Sequence, residues 1–249
     1  RSRPIPAASP TRSSPGPDAG QHSEMTHADF EIVPGLRLSV SGTGADVRTF
    51  VREYGPFSAA VGTPGGATLT AEFGAISGST RNELWTDEHK TVGWTVLLSG
   101  AAAPEPRLRI SIRGAPASFA RSLIQGYVVE PVMSVVAAEL GFVQLPAAGI
   151  VDAGGLHVLI GRSRAGKSTL AARALAAGDQ IIGDDQVLAG ASNAWRPFPR
   201  RLRFYPDIRD TAPAVWGRLG PGTKALLTAR RVVAAASRGF VRPSLGVDI

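Results

Sequence analysis

Residues 156–185, LHVLIGRSRAGKSTLAARALAAGDQIIGDD, decide the reading of this chain. The run Leu156–Ile160 is apolar and short, as a buried strand is, and it leads directly into Gly161. From Gly161 to Ser168 the sequence fits G-x-x-x-x-G-K-[ST] at every defined position. A helical stretch follows, expected to place Leu170, Ala174 and Ala177 on one face and to end at Gly178. Strand, glycine loop and helix in that order are the context in which this motif cradles phosphate. Gly161 and Gly166 let backbone N–H groups turn inward, and the helix N-terminus adds partial positive charge. Lys167 then reaches the β- and γ-phosphates, and the Ser168 hydroxyl completes a Mg²⁺ shell. The nucleotide contacts expected are Gly161, Arg162, Ser163, Arg164, Ala165, Gly166, Lys167, Ser168 and Thr169. Arg162 and Arg164 occupy the variable part of the loop, where they face either phosphate or solvent.

Two aspartates close the stretch. Ile181 and Ile182 read as a short buried strand, with Asp184 and Asp185 at its carboxyl end. Ligands of open α/β sheets sit at that edge. Neighbouring side chains on a strand point to opposite sides. One carboxylate can therefore face the transferred phosphate and its acceptor while the other turns to metal. An Asx-turn that merely ends the strand is the plainer reading. Against it, two unpaired carboxylates beside a phosphate site are costly without a cation.

Outward from this stretch, the composition sets limits. Among 249 residues 43% are hydrophobic, enough for a sizeable core in one large domain or two small ones. Cys is absent, which excludes disulfides, thiolate zinc sites and cysteine nucleophiles and suits a reducing cytoplasm. The four His, at 22, 27, 89 and 157, show no metal-ligand spacing on a helix turn. Apolar runs are too short for a membrane-spanning helix. The net charge of +7 is concentrated: from Arg196 onward eleven basic residues face three acidic ones, a net +8, and the first 195 residues sum to −1. Such a patch suits an anionic partner, and it equally suits a solvated Arg-rich surface. The lack of interleaved aromatics or of any recognisable nucleic-acid module argues against nucleic acid.

Four segments are expected. Residues 1–24 are rich in Pro, Ser and Arg and cannot bury enough apolar surface to offset chain entropy, so they read as a disordered tail. Met25 is the first Met; either it is the true start or the tail is a genuine processed one. Residues 25–117 read as a β-rich region with a half-solvated antiparallel sheet. LRLSVSG puts Leu36, Leu38 and Val40 on one face, and TVGWTVLLSG forms another strand. RLRISIRG puts Leu108, Ile110 and Ile112 opposite Arg107, Arg109, Ser111 and Arg113. GTPGG at 62–66 reads as a turn. Residues 118–145 form a helical connection in two pieces, the second with Pro131 in its first turn and Gly141 at its C-cap. Residues 146–249 complete the nucleotide-binding region, with strands at Ala148–Val151 and Leu156–Ile160. The fold class expected is α/β. In PFPRRLRFYP, residues 197–206, the prolines bound a short edge strand or rim loop. There Arg201 and Arg203 share one face. They either contact the acceptor or the γ-phosphate, which suits guanidinium forks, or form a solvated basic face.

The segment from Gly161 to Asp185 resembles the HPr kinase/phosphorylase family and its shorter HPr-kinase-related relatives. These share a P-loop, one helix and a strand ending in Asp-Asp at this spacing. The resemblance covers roughly residues 120–205 and is most specific between loop and aspartates. It implies a P-loop domain of the HPr-kinase type that moves the γ-phosphoryl group of ATP, with Mg²⁺, to a Ser hydroxyl on a small protein or peptide. It assigns Asp184 as general base, with Asp185 beside it at the metal. The chain departs from the family where Pro146 replaces a His that contacts the base. It departs again in having no Glu after Glu139, so further metal carboxylates must come from Asp184, Asp185, Asp207 or Asp210. These departures define the alternative, a nucleotide-binding regulator or degenerate kinase. A cytoplasmic protein without a membrane partner is expected, and a homo-oligomer is left open.

Overall fold

The structure, a computed structural model, describes residues 25–59, 66–77, 84–100, 105–162, 165–236 and 245–247. The tail 1–24, most of the 62–66 turn, and Ser163 and Arg164 of the loop lie outside the described residues. What is described is mixed α/β.

The first half builds a six-stranded sheet in the order β1-β2-β3-β6-β5-β4. Its strands are β1 (Met25–Val33), β2 (Leu36–Thr43), β3 (Ala67–Phe73), β4 (Leu84–His89), β5 (Val92–Ser99) and β6 (Arg107–Gly114). The sheet is mixed, which corrects the antiparallel expectation: β2 pairs with β3 and β3 with β6 in parallel. The cause is a helix, α1 (Gly44–Tyr54), between β2 and β3, since parallel neighbours need a crossover connection. Thr43 and Asp46 form a capping box at its start. Val47, Phe50 and Tyr54 then fall one turn apart and turn into the core. The alternation read in β2 and β6 holds: Leu36, Leu38, Val40, Leu108 and Ile110 are buried, and Ile112 packs against the same cluster.

That apolar face is covered by α1 and by one continuous helical run, α2 (Ala117–Ile124), a π turn (Gln125–Val129) and α3 (Glu130–Glu139). Pro131 accounts for the widening. Its ring would clash with the carbonyl four residues back and it has no N–H to give. The Glu130 N–H reaches instead to the Gln125 carbonyl, five residues back. Gly141 follows α3 with φ +82, the left-handed turn that stops a helix. Leu188 and Phe198 from the second half complete this core.

In the second half, β7 (Val143–Leu145), β11 (Val187–Ala189) and β12 (Trp195–Pro197) form one small sheet in the order β12-β11-β7. A second runs β10-β8-β9, with β8 (Ala147–Asp152), β9 (Gly155–Ile160) and β10 (Gln180–Gly183). Because β8 is antiparallel to both neighbours, β9 and β10 run parallel. Helix α4 (Lys167–Ala177) is the crossover between them. Next come β13 (Leu202–Phe204), α5 (Ile208–Thr211), α6 (Pro213–Arg218), α7 (Pro221–Ala236) and β14 (Leu245–Val247), which pairs with β13. A second apolar cluster joins Ala172 of α4 to Phe204, Ile208, Val215, Leu227 and Leu245.

The orientation of α4 differs from the expected one. Leu170 is 49% exposed and Ala177 is exposed, while Ala171 and Ala172 are buried. An Ala-rich helix offers apolar side chains on every side, so its own periodicity does not choose a face. Small side chains on the inner face let α4 lie close to β8 on one side and α6 on the other. Ile181 and Ile182 are only half-buried, because β10 is an edge strand. Among the described residues no helix is long and apolar enough to cross a membrane.

Candidate phosphate-binding and phosphoryl-transfer site

The loop after β9 is organised around a lysine. Lys167 Nζ donates to the Gly161 carbonyl at 2.8 Å and to the Arg162 carbonyl at 3.2 Å. The ammonium thus folds back across the loop instead of extending into solvent. The Ala165 N–H closes the turn on the Arg162 carbonyl at 3.1 Å. Gly166 takes φ +88, where a side chain would be strained, and delivers the chain into α4. No side chain caps α4, and its first helical bond runs from the Leu170 N–H to the Gly166 carbonyl. The N–H groups of Lys167, Ser168 and Thr169 therefore lie in the unsatisfied first turn that favours anions.

Ser168 ties the loop to the aspartates: its hydroxyl donates to the Asp184 carbonyl oxygen at 3.3 Å. The two aspartates, in the bend that follows β10, diverge. Asp184 is 7% exposed and its Oδ2 accepts the Arg203 N–H at 3.1 Å. Burial pushes its carboxyl up to about 6; Asp185 nearby adds to the rise, while the Arg203 N–H and side-chain charge oppose it. Asp185 points outward and is exposed. Its Oδ2 lies 3.9 Å from Arg200 Nη1.

Arg200 is fixed from behind by Glu130, at the junction of the π turn and α3. Arg200 Nε donates to Glu130 Oε1 at 2.9 Å, and Nη2 donates to Oε2. Glu130 is 2% exposed and also accepts from the Tyr54 hydroxyl at 3.2 Å and from Gln125 Nε2 at 3.4 Å. Burial, then the Glu130 charge, holds the Tyr54 phenol far above its ordinary range, so it stays a donor. Burial works against the Arg200 charge, but Glu130 more than offsets it and the guanidinium stays ionised. Arg201 runs the other way: across Gly246 it stands beside Glu53 of α1, where a Cβ would meet Arg201 Cβ at 3.4 Å and Glu53 Oε1 at 3.5 Å.

The predicted residues thus divide. Gly161, Arg162, Ala165, Gly166, Lys167, Ser168 and Thr169 lie along the loop and first turn; Asp184, just past β10, meets them through Ser168 and meets Arg203 through its carboxyl, while Asp185 faces Arg200. Arg201 is drawn toward α1. Glu130, Tyr54 and Gln125 were not singled out from sequence, and Arg200 only as a member of the basic cluster with Arg201 and Arg203. The signal was there: one acid within the apolar run VVEPVM, which a helix buries together with its neighbours.

Ser168 and Asp185 offer hard oxygen donors, the kind that Mg²⁺ takes together with phosphate and water. Among the described residues no cluster of three or more His, Cys, Asp or Glu is placed to hold a metal ion. Compared with known proteins, the chain matches no family model, no curated protein and no solved structure.

Proposed function

We propose that this chain is an ATP-dependent serine kinase of the HPr-kinase type, acting on a Ser hydroxyl of a small protein or peptide in the cytoplasm. The observation that carries the reading is the contact of Ser168 with Asp184. It ties the start of the helix after the glycine loop to the main chain at Asp184, whose buried carboxyl accepts the Arg203 N–H and is pushed by burial up to about 6. A general base works best when its pKa lies near the working pH, and about 6 meets that condition.

In this reading the loop amides and Lys167 hold the β- and γ-phosphates. Ser168 and Asp185 would hold Mg²⁺, which supplies positive charge against the phosphates when bound. Asp184 accepts the proton of the attacking Ser hydroxyl. Arg203 steadies the Asp184 carboxylate through its N–H and its charge, so the base is ionised above about pH 6. Arg162 and Arg203 add positive charge at the rim, suited to an anionic product.

A second reading, a nucleotide-holding regulator without transfer, is favoured by Pro146, which stands between β7 and β8 where kinases of the resembled type carry a His. One experiment separates the two. The chain is incubated with labelled Mg-ATP and a panel of Ser-containing peptides, alongside Asp184→Asn. Transfer to Ser that falls by roughly 10² to 10⁴ in the variant, with ATP still bound, supports the kinase. Binding without transfer in the parent supports the regulator.

A further inference from the structure

Arg200 lies just behind the aspartate edge, held by a buried acid. Its Nε and Nη2 form a two-pronged pair with Glu130. Glu130 is itself fixed by Tyr54 from α1 and by Gln125 from the π turn. The widened turn matters here, because it stacks residues five apart and so brings Gln125 over Glu130. Phe198 lies under the guanidinium at 5.9 Å, and Gly126 flanks it on another side, where a Cβ would come within 3.7 Å of Nη2. The remaining nitrogen, Nη1, faces Asp185 Oδ2 at 3.9 Å. That separation is electrostatic contact, too long for a hydrogen bond. A guanidinium carries five N–H donors in a rigid fork. The edge turned to Glu130 is satisfied; the edge turned to the site has donors to spare among the described residues.

We propose that Arg200 is an arginine finger supplied in cis, which meets the terminal phosphoryl group of the bound nucleotide, and that Glu130 is its positioning residue. The proposal rests on the kinase reading above. In the transfer, the acceptor oxygen–phosphorus bond forms as the bond from phosphorus to the bridging oxygen breaks. The acceptor proton goes to Asp184 and the bonding pair leaves with the nucleoside diphosphate. Negative charge spreads over the outer oxygens of the moving group, and a fixed guanidinium edge answers it without reorganising. Lysine could not do both tasks. An ammonium is a point charge and cannot hold Glu130 with one edge and phosphate with another. The site on the C-terminal half is thereby propped from α1 and α3, the helices that cover the N-terminal sheet, through Tyr54, Glu130 and Arg200.

The test uses the affinity of the full chain for Mg-ADP with and without aluminium fluoride, a mimic of the phosphoryl group in flight. Calorimetry gives both dissociation constants, and their ratio is the readout. In the parent, fluoride tightens binding. In Arg200→Lys, and in the double variant Glu130→Gln with Arg200→Gln, which swaps the ion pair for neutral amides, the ratio is expected to fall at least tenfold. A merely structural role would leave the ratio intact in any variant that melts cooperatively. A preserved ratio overturns the finger and leaves the kinase reading standing. Mg-ADP binding without fluoride enhancement in the parent overturns the finger and favours the regulator. No Mg-ADP binding in the parent overturns both. If neither variant melts cooperatively, Arg200 belongs to folding and the assignment falls.

Discussion

Glu130 and Asp184, two of the carboxylates buried among the described residues, live under opposite rules. Glu130, in the sheet-and-helix half, is surrounded by donors: both ends of its carboxylate meet Arg200, and Tyr54 and Gln125 add further bonds. Asp184, at the end of β10, is nearly as buried but has the Arg203 N–H as its neighbour and a second acid beside it, and its carboxyl rises to about 6. A buried charge with full partners is a fixed support. A buried charge with partial ones can take and release a proton near neutral pH. In the proposed kinase the first half of the chain would supply rigidity and the second reactivity, with Arg200 joining them through Glu130.

Breaking the support should cost the most. Arg200→Ala leaves Glu130 buried without its counter-ion, a change that typically destabilises by about 3–5 kcal/mol. Urea denaturation followed by circular dichroism should show that loss; a shift under about 1 kcal/mol would mean that Glu130 needs no partner. Lys167→Ala sharpens the contrast from the reactive side. Its amine bonds loop carbonyls and supports no core. Fold stability should move by less than about 1 kcal/mol, while Mg-ATP affinity by calorimetry should weaken by roughly a hundredfold, or about 3 kcal/mol. Equal ATP affinity in the two proteins would remove the loop from the site.

The reactive half was the more legible one in the sequence, and the support the less. A glycine loop, a lysine and a serine at fixed spacing carry their geometry in residue types. The left-handed Gly166 follows from those types; Lys167, which they place at phosphate, bonds the Gly161 and Arg162 carbonyls here. Asp184 turns inward and Asp185 outward, but β10 ends at Gly183 and both lie in the bend after it, so the two-residue period of a strand does not by itself set their directions. Glu130 could not be placed that way, because its partners Tyr54 and Arg200 lie 76 and 70 residues away along the chain. Leu170 failed for a related reason. In a helix of alanines the choice of buried face belongs to β8 and α6 and not to α4. Helix α1 was legible but unread: Thr43, Asp46, Val47, Phe50 and Tyr54 spell a capping box with a core stripe. With α1 in place, the parallel pairing of β2 and β3 would have been expected.

The smallest expected effect tests the comparison most directly. Between the ordinary aspartate value and about 6, the folded chain binds a proton at Asp184 that the unfolded chain has released. Stability falls with rising pH wherever the folded state holds more protons. The contribution of Asp184 is thus fully present below about pH 4 and is lost as pH rises through about 6. A shift of about two units corresponds to about 2–3 kcal/mol. Asp184→Asn keeps an acceptor for the Arg203 N–H but cannot ionise. Chemical denaturation between pH 4 and 8 should find the variant more stable than the parent by about that amount at pH 7–8 and nearly equal at pH 4. The difference should open between pH 4 and pH 6. A parallel offset at every pH would mean that Asp184 does not titrate in this window. The division between the two halves would then fail.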